Sequence, residues 1–382
     1  TFDSIKLSLL ALYILFNFFD RHISNIFLLL CLLLCLIDYK SILTKLARNK
    51  HLIISVVIFT VYITIIAFFH QSPVHELDNY YRFLLLLPIL SIGVNYKTIG
   101  TVIKISTLFA LAHFILIYCH DSSLRYSGTS SSAITYANLC ALMFIASLYF
   151  FFESKNSKKD ITLIICALIF LLIYIFTETR GPIIGILLSM VFIFFTLKKT
   201  SVLIILSFML ASFIYIPNPV YERFENLQDI DFNNPITIPH RSLRERLFYL
   251  YYGFDELNNN FLSGIGPQNL EPRMSNYLNS NDIHSIIPRD HLHNDFLDIA
   301  VKFGTPTLIL LISIYLFMLK SHQPQFRPLG FIIMIMLVSS QLTQSQFAHN
   351  QAITFFIVLL YLVVNLKINN NIDKVDENNL KT

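Results

Sequence analysis

Residues 289–307, RDHLHNDFLDIAVKFGTPT, place ionisable and metal-binding side chains directly in front of an apolar run. His291 and His293 are two residues apart, so they share a face in an extended chain but not on a helix. A histidine can act as a general base near neutral pH, sense pH or bind a metal. Asn294 or Asp295 can cap the helix that follows. The stretch therefore admits a catalytic base, a pH-sensing pair, a metal site or a plain helix cap.

A metal at this histidine pair would need a third ligand, for which Asp290 and His284 are the candidates. The spacing of these residues is not that of a zinc site. The cysteines mostly sit inside apolar runs without a CxxC pair, which indicates small apolar side chains and not a metal or disulfide framework. They are Cys31, Cys35, Cys119, Cys140 and Cys166. We therefore expect neither a metal nor a cofactor.

The elements that must position these residues are apolar helices. The chain of 382 residues is 55% hydrophobic and 14% charged, whereas a soluble domain carries about 25% charged residues. This composition predicts an all-α polytopic integral membrane protein with about 12 transmembrane helices and one large outer loop containing short helices. The predicted spans are 5–19, 23–38, 52–69, 83–95, 101–119, 135–152, 161–177, 182–197, 200–216, 297–319, 329–347 and 352–366. The fourth span is short, so a broken or tilted helix is expected there.

Lysine and arginine placement orients these spans. With the N-terminus inside, every inside loop is basic, as the positive-inside rule requires, and the C-terminus returns inside. The predicted organisation is helices 1–9 over residues 1–216, an outer loop or lid region over 217–296, helices 10–12 over 297–366 and an inside tail over 367–382. The loop is long enough to form a small subdomain.

The two basic residue types divide unequally between the faces. Of the 12 arginines, only Arg48 and Arg327 fall inside, whereas Lys302 is the one lysine that falls clearly outside. A guanidinium binds two phosphate oxygens at once, so the bias favours recognition of phosphate at the outer face. A chance division or snorkelling of the side chains to the interface is the alternative.

Two stretches place arginine where an anion can bind. Arg180, in FTETRGP, stands at the outer end of the seventh span, with Pro182 opening the next helix. It can hold an anionic head group, snorkel or pair with Glu178.

The second stretch is HRSLRERLFYLYYGFDEL, residues 240–257, which predicts an amphipathic helix on the outer membrane surface. Its apolar face is formed by Leu243, Leu247, Leu250 and Tyr251. Its N-terminal turn, which attracts anions, carries Arg241, Arg244 and Arg246. Non-specific binding of anionic lipid is the alternative for this helix.

The opening stretch also resembles a known pattern. His293 and Asn294, then nine residues, Gly304, two residues and Thr307 resemble the His-[Asn/Ser/Gln]-x9-Gly-x-x-[Gly/Thr] pattern of the bacterial O-antigen ligase (WaaL) family, within the Wzy-type polymerase/ligase superfamily. TETR resembles the outer turn of that family, and SLRER resembles its loop helix. The segment NNNFLSGIGPQNL is also typical of the superfamily. These motifs cover some thirty residues, whereas the architecture covers most of the chain.

The resemblance implies a glycosyltransferase of the Gram-negative inner membrane. Its active site would face the periplasm, and it would move O-antigen glycan from undecaprenyl diphosphate to a hydroxyl of lipid A–core, without metal or nucleotide. Membrane lipid is a partner and nucleic acid is not. The resemblance implies that His293 is the catalytic base. It implies that Arg180 and Arg246 bind the diphosphate, with Arg244 as the alternative to Arg246. The implied supporting residues are His291, Arg289 and Asn294.

Other functions stay open at this point. O-antigen polymerase would use a similar site with a lipid-linked glycan acceptor, and attachment of glycan to protein is a further variant. A transporter or flippase would carry polar residues deep in its spans and an inverted repeat. Here the spans are nearly free of charge, with Lys104 and His113 as exceptions, and no repeat is evident. GIGP lacks the third glycine of a dinucleotide-binding loop, which disfavours an ATPase.

Overall fold

The computed structural model describes residues 2–120, 126–130, 132–153, 160–202, 205 and 241–367. The helices of this part are α1 (Phe2–Phe16), α2 (Arg21–Ile37), α3 (Tyr39–Arg48), α4 (Lys50–Phe69), α5 (Arg82–Leu85), α6 (Tyr96–His120), α7 (Ala133–Glu153), α8 (Ile161–Phe176), α9 (Pro182–Leu197), α10 (Arg241–Asn259), α11 (Leu270–Ser280), α12 (Asp295–Phe303), α13 (Thr305–Ser321), α14 (Arg327–Thr343) and α15 (Asn350–Val364). Two short parallel strands, β1 (Val94–Asn95) and β2 (Leu366–Lys367), pair Val94 with Leu366. The predicted all-α class is confirmed for these residues.

Several helices can cross a membrane by length and composition. Within the described residues these are α4, the Tyr96–Tyr118 part of α6, and α7, with a bent pair formed by α2 and the end of α3 as a fourth. Shorter apolar helices are Arg82–Ser91, α8, α9, α13, α14 and α15. The described residues therefore contain several helices that are long and apolar enough to span a membrane, while the count of about 12 spans stays a prediction. Most of the predicted ninth span and of the loop before residue 241, together with most of the tail, lies outside the described residues.

The bundle is arranged around α7. Buried side chains run along this helix from Ala133 to Phe152, and it packs against α8 and α9. By contrast, α4 and α6 expose large apolar side chains such as Phe68, Leu108 and Leu116. An outward-facing apolar surface of this kind is what a lipid environment requires.

Two predicted spans are broken. The short fourth span divides into α5 and a 3-10 turn over Leu87–Ser91, as the sequence predicts. The single helix predicted over 297–319 is wrong, because Gly304 interrupts it between α12 and α13 with a φ of +86°. This left-handed value favours glycine, and Pro306 then starts the new helix.

Residues 241–294 form a unit with its own apolar core, here called the loop unit. The core is formed by Phe248, Tyr249, Tyr252, Ile265, Leu270, Met274, Leu278, Ile286 and Leu292, closed by Leu297 and Val301 of α12. The predicted helix over 240–257 is confirmed as α10. Its predicted apolar face is not the buried one: Tyr251 is 59% exposed, whereas Phe248 and Tyr249 are buried.

The loop unit is joined to the bundle at two glycines. A Cβ atom at Gly304 would lie 2.0 Å from the carbonyl oxygen of Leu262, and one at Gly264 would lie 2.5 Å from the carbonyl of Lys302. The two segments are also joined by backbone hydrogen bonds from Ile265 N to Val301 O (2.9 Å) and from Gly266 N to Lys302 O (2.9 Å). The segments NNNFLSGIGPQNL and HN-x9-G therefore contact each other, which holds the end of α12 against the segment that follows α10.

Candidate active site

His293 has an unusual backbone conformation. Its φ is +56°, in the left-handed region that non-glycine residues rarely occupy. The next residue, Asn294, caps α12 as the sequence predicts, because its Oδ1 accepts from Leu297 N at 3.1 Å. Strained backbone of this kind persists only where the surroundings impose it, and it concentrates at functional sites.

The imidazole of His293 lies between two rings. The ring of His291 meets it edge-on at a centroid distance of 4.6 Å, and the ring of Tyr249 lies 5.6 Å away. Within the described residues, its buried Nδ1 has no hydrogen-bond partner. A buried polar atom without a partner is costly, so it marks a place where a ligand can bind.

Burial and surrounding positive charge lower the pKa of His293 to about 3. After burial, the contributing charges are those of His291, Arg246, Arg289 and His349. Desolvation and like charges both disfavour the imidazolium form. His293 is therefore neutral at pH 7 and able to accept a proton.

Arg246 is the half-buried cation of this site. Burial lowers its pKa, and within the described residues it forms no ion pair or side-chain hydrogen bond. The neighbouring arginines are turned to other partners: Arg241 Nε donates to Glu245 at 2.9 Å, and Arg244 donates to the Ser285 carbonyl at 3.4 Å. An arginine without a carboxylate partner is available for an anionic ligand.

His291 differs from His293 in its partners. Its Nδ1 lies 2.6 Å from Asp290 Oδ1, and this hydrogen bond lowers the pKa of Asp290 to about 2. No group of three or more His, Cys, Asp or Glu side chains with metal-binding geometry occurs among the described residues. His291 is thus a neighbour of His293 that is held by a carboxylate.

The turn carrying Arg180 reaches the same end of the bundle through α14. A Cβ atom at Gly181 would lie 3.1 Å from Thr343 Oγ1, and the Asn294 side chain donates to the Leu342 carbonyl at 3.3 Å. The last residues of α14 therefore lie against both the turn that carries Arg180 and the Asn294 cap of α12. The arginines whose charges lower the pKa of His293 include Arg246 and Arg289.

Comparison with known proteins finds a family whose model matches part of the chain. Residues 164–312 match the family model described as O-antigen ligase. This part of the chain is similar to the O-antigen ligase family. The matched range runs from α8 into α13, and it contains Arg180, Arg246 and His293. No curated protein matches the chain.

Sequence reasoning missed two residues of this site. Tyr249 donates from its hydroxyl to the Ile287 carbonyl at 2.7 Å and packs beside His293. Its position three residues after Arg246 on a helix was a usable signal, because such residues share a face. His349 precedes α15, far from the loop unit in sequence, and no local pattern pointed to it.

The arrangement combines a base with positive charge. A neutral imidazole has a nitrogen without a partner in the part of the chain that the structure describes, and guanidinium groups lie near enough to shift its pKa. Such a site can remove a proton from a hydroxyl while it stabilises an anionic leaving group.

Proposed function

We propose that the protein is an O-antigen ligase that transfers glycan from undecaprenyl diphosphate to lipid A–core at the periplasmic face of the inner membrane. The family match over residues 164–312 supports action on a lipid-linked glycan in a membrane. The observation that carries the proposal is the neutral imidazole of His293, whose Nδ1 has no partner among the described residues, together with the charge of Arg246, which forms no ion pair in the same part of the chain.

His293 acts as the general base. The acceptor hydroxyl gives its proton to the ring nitrogen while its oxygen forms a bond to the anomeric carbon of the donor sugar. The bond from that carbon to the diphosphate oxygen breaks, and its electron pair stays on undecaprenyl diphosphate. Attack from the face opposite the leaving group inverts the anomeric centre. General base catalysis contributes roughly 10²–10⁴-fold in rate.

The arginines stabilise the departing diphosphate. Arg246 and Arg289 flank the base, and Arg180 approaches from the turn beside α14 as a further clamp. The donor brings its own leaving group, so the reaction needs no nucleotide. A well-placed donor to a developing anion contributes about 3–4 kcal/mol to transition-state stabilisation, and guanidiniums supply it in this site.

Donor binding also adjusts the base. In the free protein, positive neighbours and burial hold the pKa of His293 near 3, which makes it a weak base. A bound diphosphate offsets the charges of Arg246 and Arg289, and an opposite charge favours imidazolium. The pKa of His293 therefore rises when the donor is present, and the base gains strength at the step that requires it.

A gene deletion in the source bacterium tests the function. Loss of a ligase leaves lipid A–core unsubstituted while glycan accumulates on undecaprenyl diphosphate. Loss of a polymerase leaves lipid A–core carrying a single repeat unit, and this outcome would contradict the proposal. Wild-type protein and the control variant His284→Asn should both restore the substituted glycolipid, because His284 is an exposed residue that lies beside Asp282.

A further inference from the structure

A second cavity lies beside the histidine site, on the bundle side of His349. Its volume is about 520 Å³, within the range of roughly 300–1,000 Å³ that small-molecule sites occupy. Its walls come from α2, α5, the first turn of α7 and the start of α15. His349 lines this cavity and also contributes to the charge around His293, so the two sites are neighbours.

The cavity is positively charged. Arg21 and Arg82 line it, and its described lining residues include no carboxylate. Arg82 donates to the neutral partners Thr354 Oγ1 (2.6 Å) and Asn79 Oδ1 (3.1 Å), so its charge is held in place without being neutralised by these bonds. Arg21 has no ion pair within the described residues; the adjacent Asp20 accepts from the first backbone N–H groups of α2.

Two further features point to an anion. Helix α15 begins at the cavity wall without a side-chain cap, which leaves N–H groups and the positive end of its dipole facing the space. The hydroxyl of Thr135, a lining residue that is 2% exposed, is buried without a partner in the described part of the chain. Unsatisfied donors together with guanidiniums form a site for phosphate oxygens.

One wall indicates that the anion is carried by a lipid. Leu28, Leu29 and Leu32 of α2 continue the lining away from Arg21. Leu29 is 58% exposed on the outer surface of the bundle. A ligand with a phosphate beside an alkyl chain matches this change from polar to apolar lining better than a free ion does.

We propose that this cavity binds the phosphate group of the acceptor glycolipid. The transfer brings two negatively charged lipids together, and two phosphate groups in one arginine cluster would repel each other. The leaving diphosphate requires the charges that flank the base, Arg246 and Arg289. The cavity at Arg21 and Arg82 is then the place for the second substrate. The anion site itself rests on the geometry above, while its assignment to the acceptor rests on the proposed function.

Steady-state transfer by the purified full-length protein tests the assignment. The variant Arg21→Gln should raise the apparent KM for the acceptor about tenfold, as expected when a charge-assisted contact is lost. The KM for the donor and kcat should change by less than about twofold. Arg21→Lys should recover most of the affinity. The matched control is Arg273→Gln, which removes an arginine paired with Glu256 in the loop unit and should leave all three constants unchanged.

A change in the donor KM alone, or no change in either KM, would overturn the assignment. A calorimetric titration with inorganic diphosphate keeps the site testable even if no transfer is seen. Wild-type protein should bind one more diphosphate than Arg21→Gln does, and Thr135→Val, which removes only a hydroxyl, should weaken that site a few-fold. Equal stoichiometry and affinity in all three proteins would show that the cavity is not an anion site.

Discussion

The histidine site and the arginine cavity are neighbours that differ in how they are built. The histidine site lies where the loop unit meets α12, and it combines a neutral imidazole, a strained backbone and arginines. The cavity lies among helix ends of the bundle, and apart from His22 and His349 it offers donors and fixed charge. The first places a strained, neutral histidine beside arginines, as proton transfer to a base requires, whereas the second places two arginines beside hydrogen-bond donors, as anion binding requires.

Variants of the two regions should therefore change different kinetic constants. Changes in the histidine site should lower kcat, because its groups contact the reacting atoms in the proposed mechanism. Changes in the cavity should raise KM for one substrate and leave kcat unchanged, because its interactions are the same in the ground and transition states.

The largest effect is expected at His293. The variant His293→Asn should lower the initial rate of transfer by roughly 10²–10⁴-fold, because the base is lost. Asparagine tolerates the left-handed backbone at this position, so the fold should be kept. The control is His284→Asn, with the rate expected at the wild-type level. Normal transfer by His293→Asn would show that His293 is not the base. The histidine site would then no longer differ from the cavity in its role.

A smaller effect is expected at Arg246. The variant Arg246→Gln should lower kcat by about 10²–10³-fold, since a donor to the leaving group is lost. Arg244→Gln should lower kcat much less, because Arg244 contacts the Ser285 carbonyl. The variant Arg180→Lys tests whether Arg180 binds the diphosphate through two hydrogen bonds. Full activity of that variant would argue against such bidentate binding. The reverse ranking of Arg244 and Arg246 would contradict the assignment of the clamp.

The pH dependence gives a third test of the histidine site. Because the pKa of His293 is lowered to about 3, kcat/KM of the wild type should show no loss between about pH 7 and pH 5. The variant Arg289→Gln removes a positive neighbour, so the pKa of His293 should rise and activity should begin to fall at a higher pH. The cavity variant Arg21→Gln should leave the pH dependence of kcat/KM unchanged. An unchanged profile in Arg289→Gln would show that Arg289 does not act on the base.

The smallest effect is expected at Asn294, which supports the site without entering the chemistry. The variant Asn294→Ala loses the cap of α12, which should cost about 1 kcal/mol of stability. Thermal unfolding of the purified protein should shift down by a few degrees, with Asn279→Ala, an exposed residue in α11, as the control. Equal melting temperatures for the two variants would show that the cap contributes little.

The sequence predicted the features that depend on neighbouring residues. Helix α10, the cap at Asn294 and the break in the fourth span follow from periodicity and local signals. The buried face of α10 could not be predicted, because its partners come from segments up to Val301. The break at Gly304 could not be predicted either, because it depends on the close contact between Gly304 and the backbone of Leu262.

The arginine cavity lay beyond sequence reasoning for the same physical reason. Its walls come from four segments that are distant in the chain, and the arginine excess on one face was the one signal pointing there. His349 joins the two sites only in three dimensions.

A reconstituted transfer reaction tests the proposed ligase activity directly. Purified protein is mixed with undecaprenyl-diphosphate-linked glycan and lipid A–core in the presence of EDTA and without nucleotide. The proposed reaction should place glycan on lipid A–core and release one undecaprenyl diphosphate for each glycan transferred. A longer glycan that remains on undecaprenyl diphosphate, or transfer that requires an added metal or nucleotide, would contradict it.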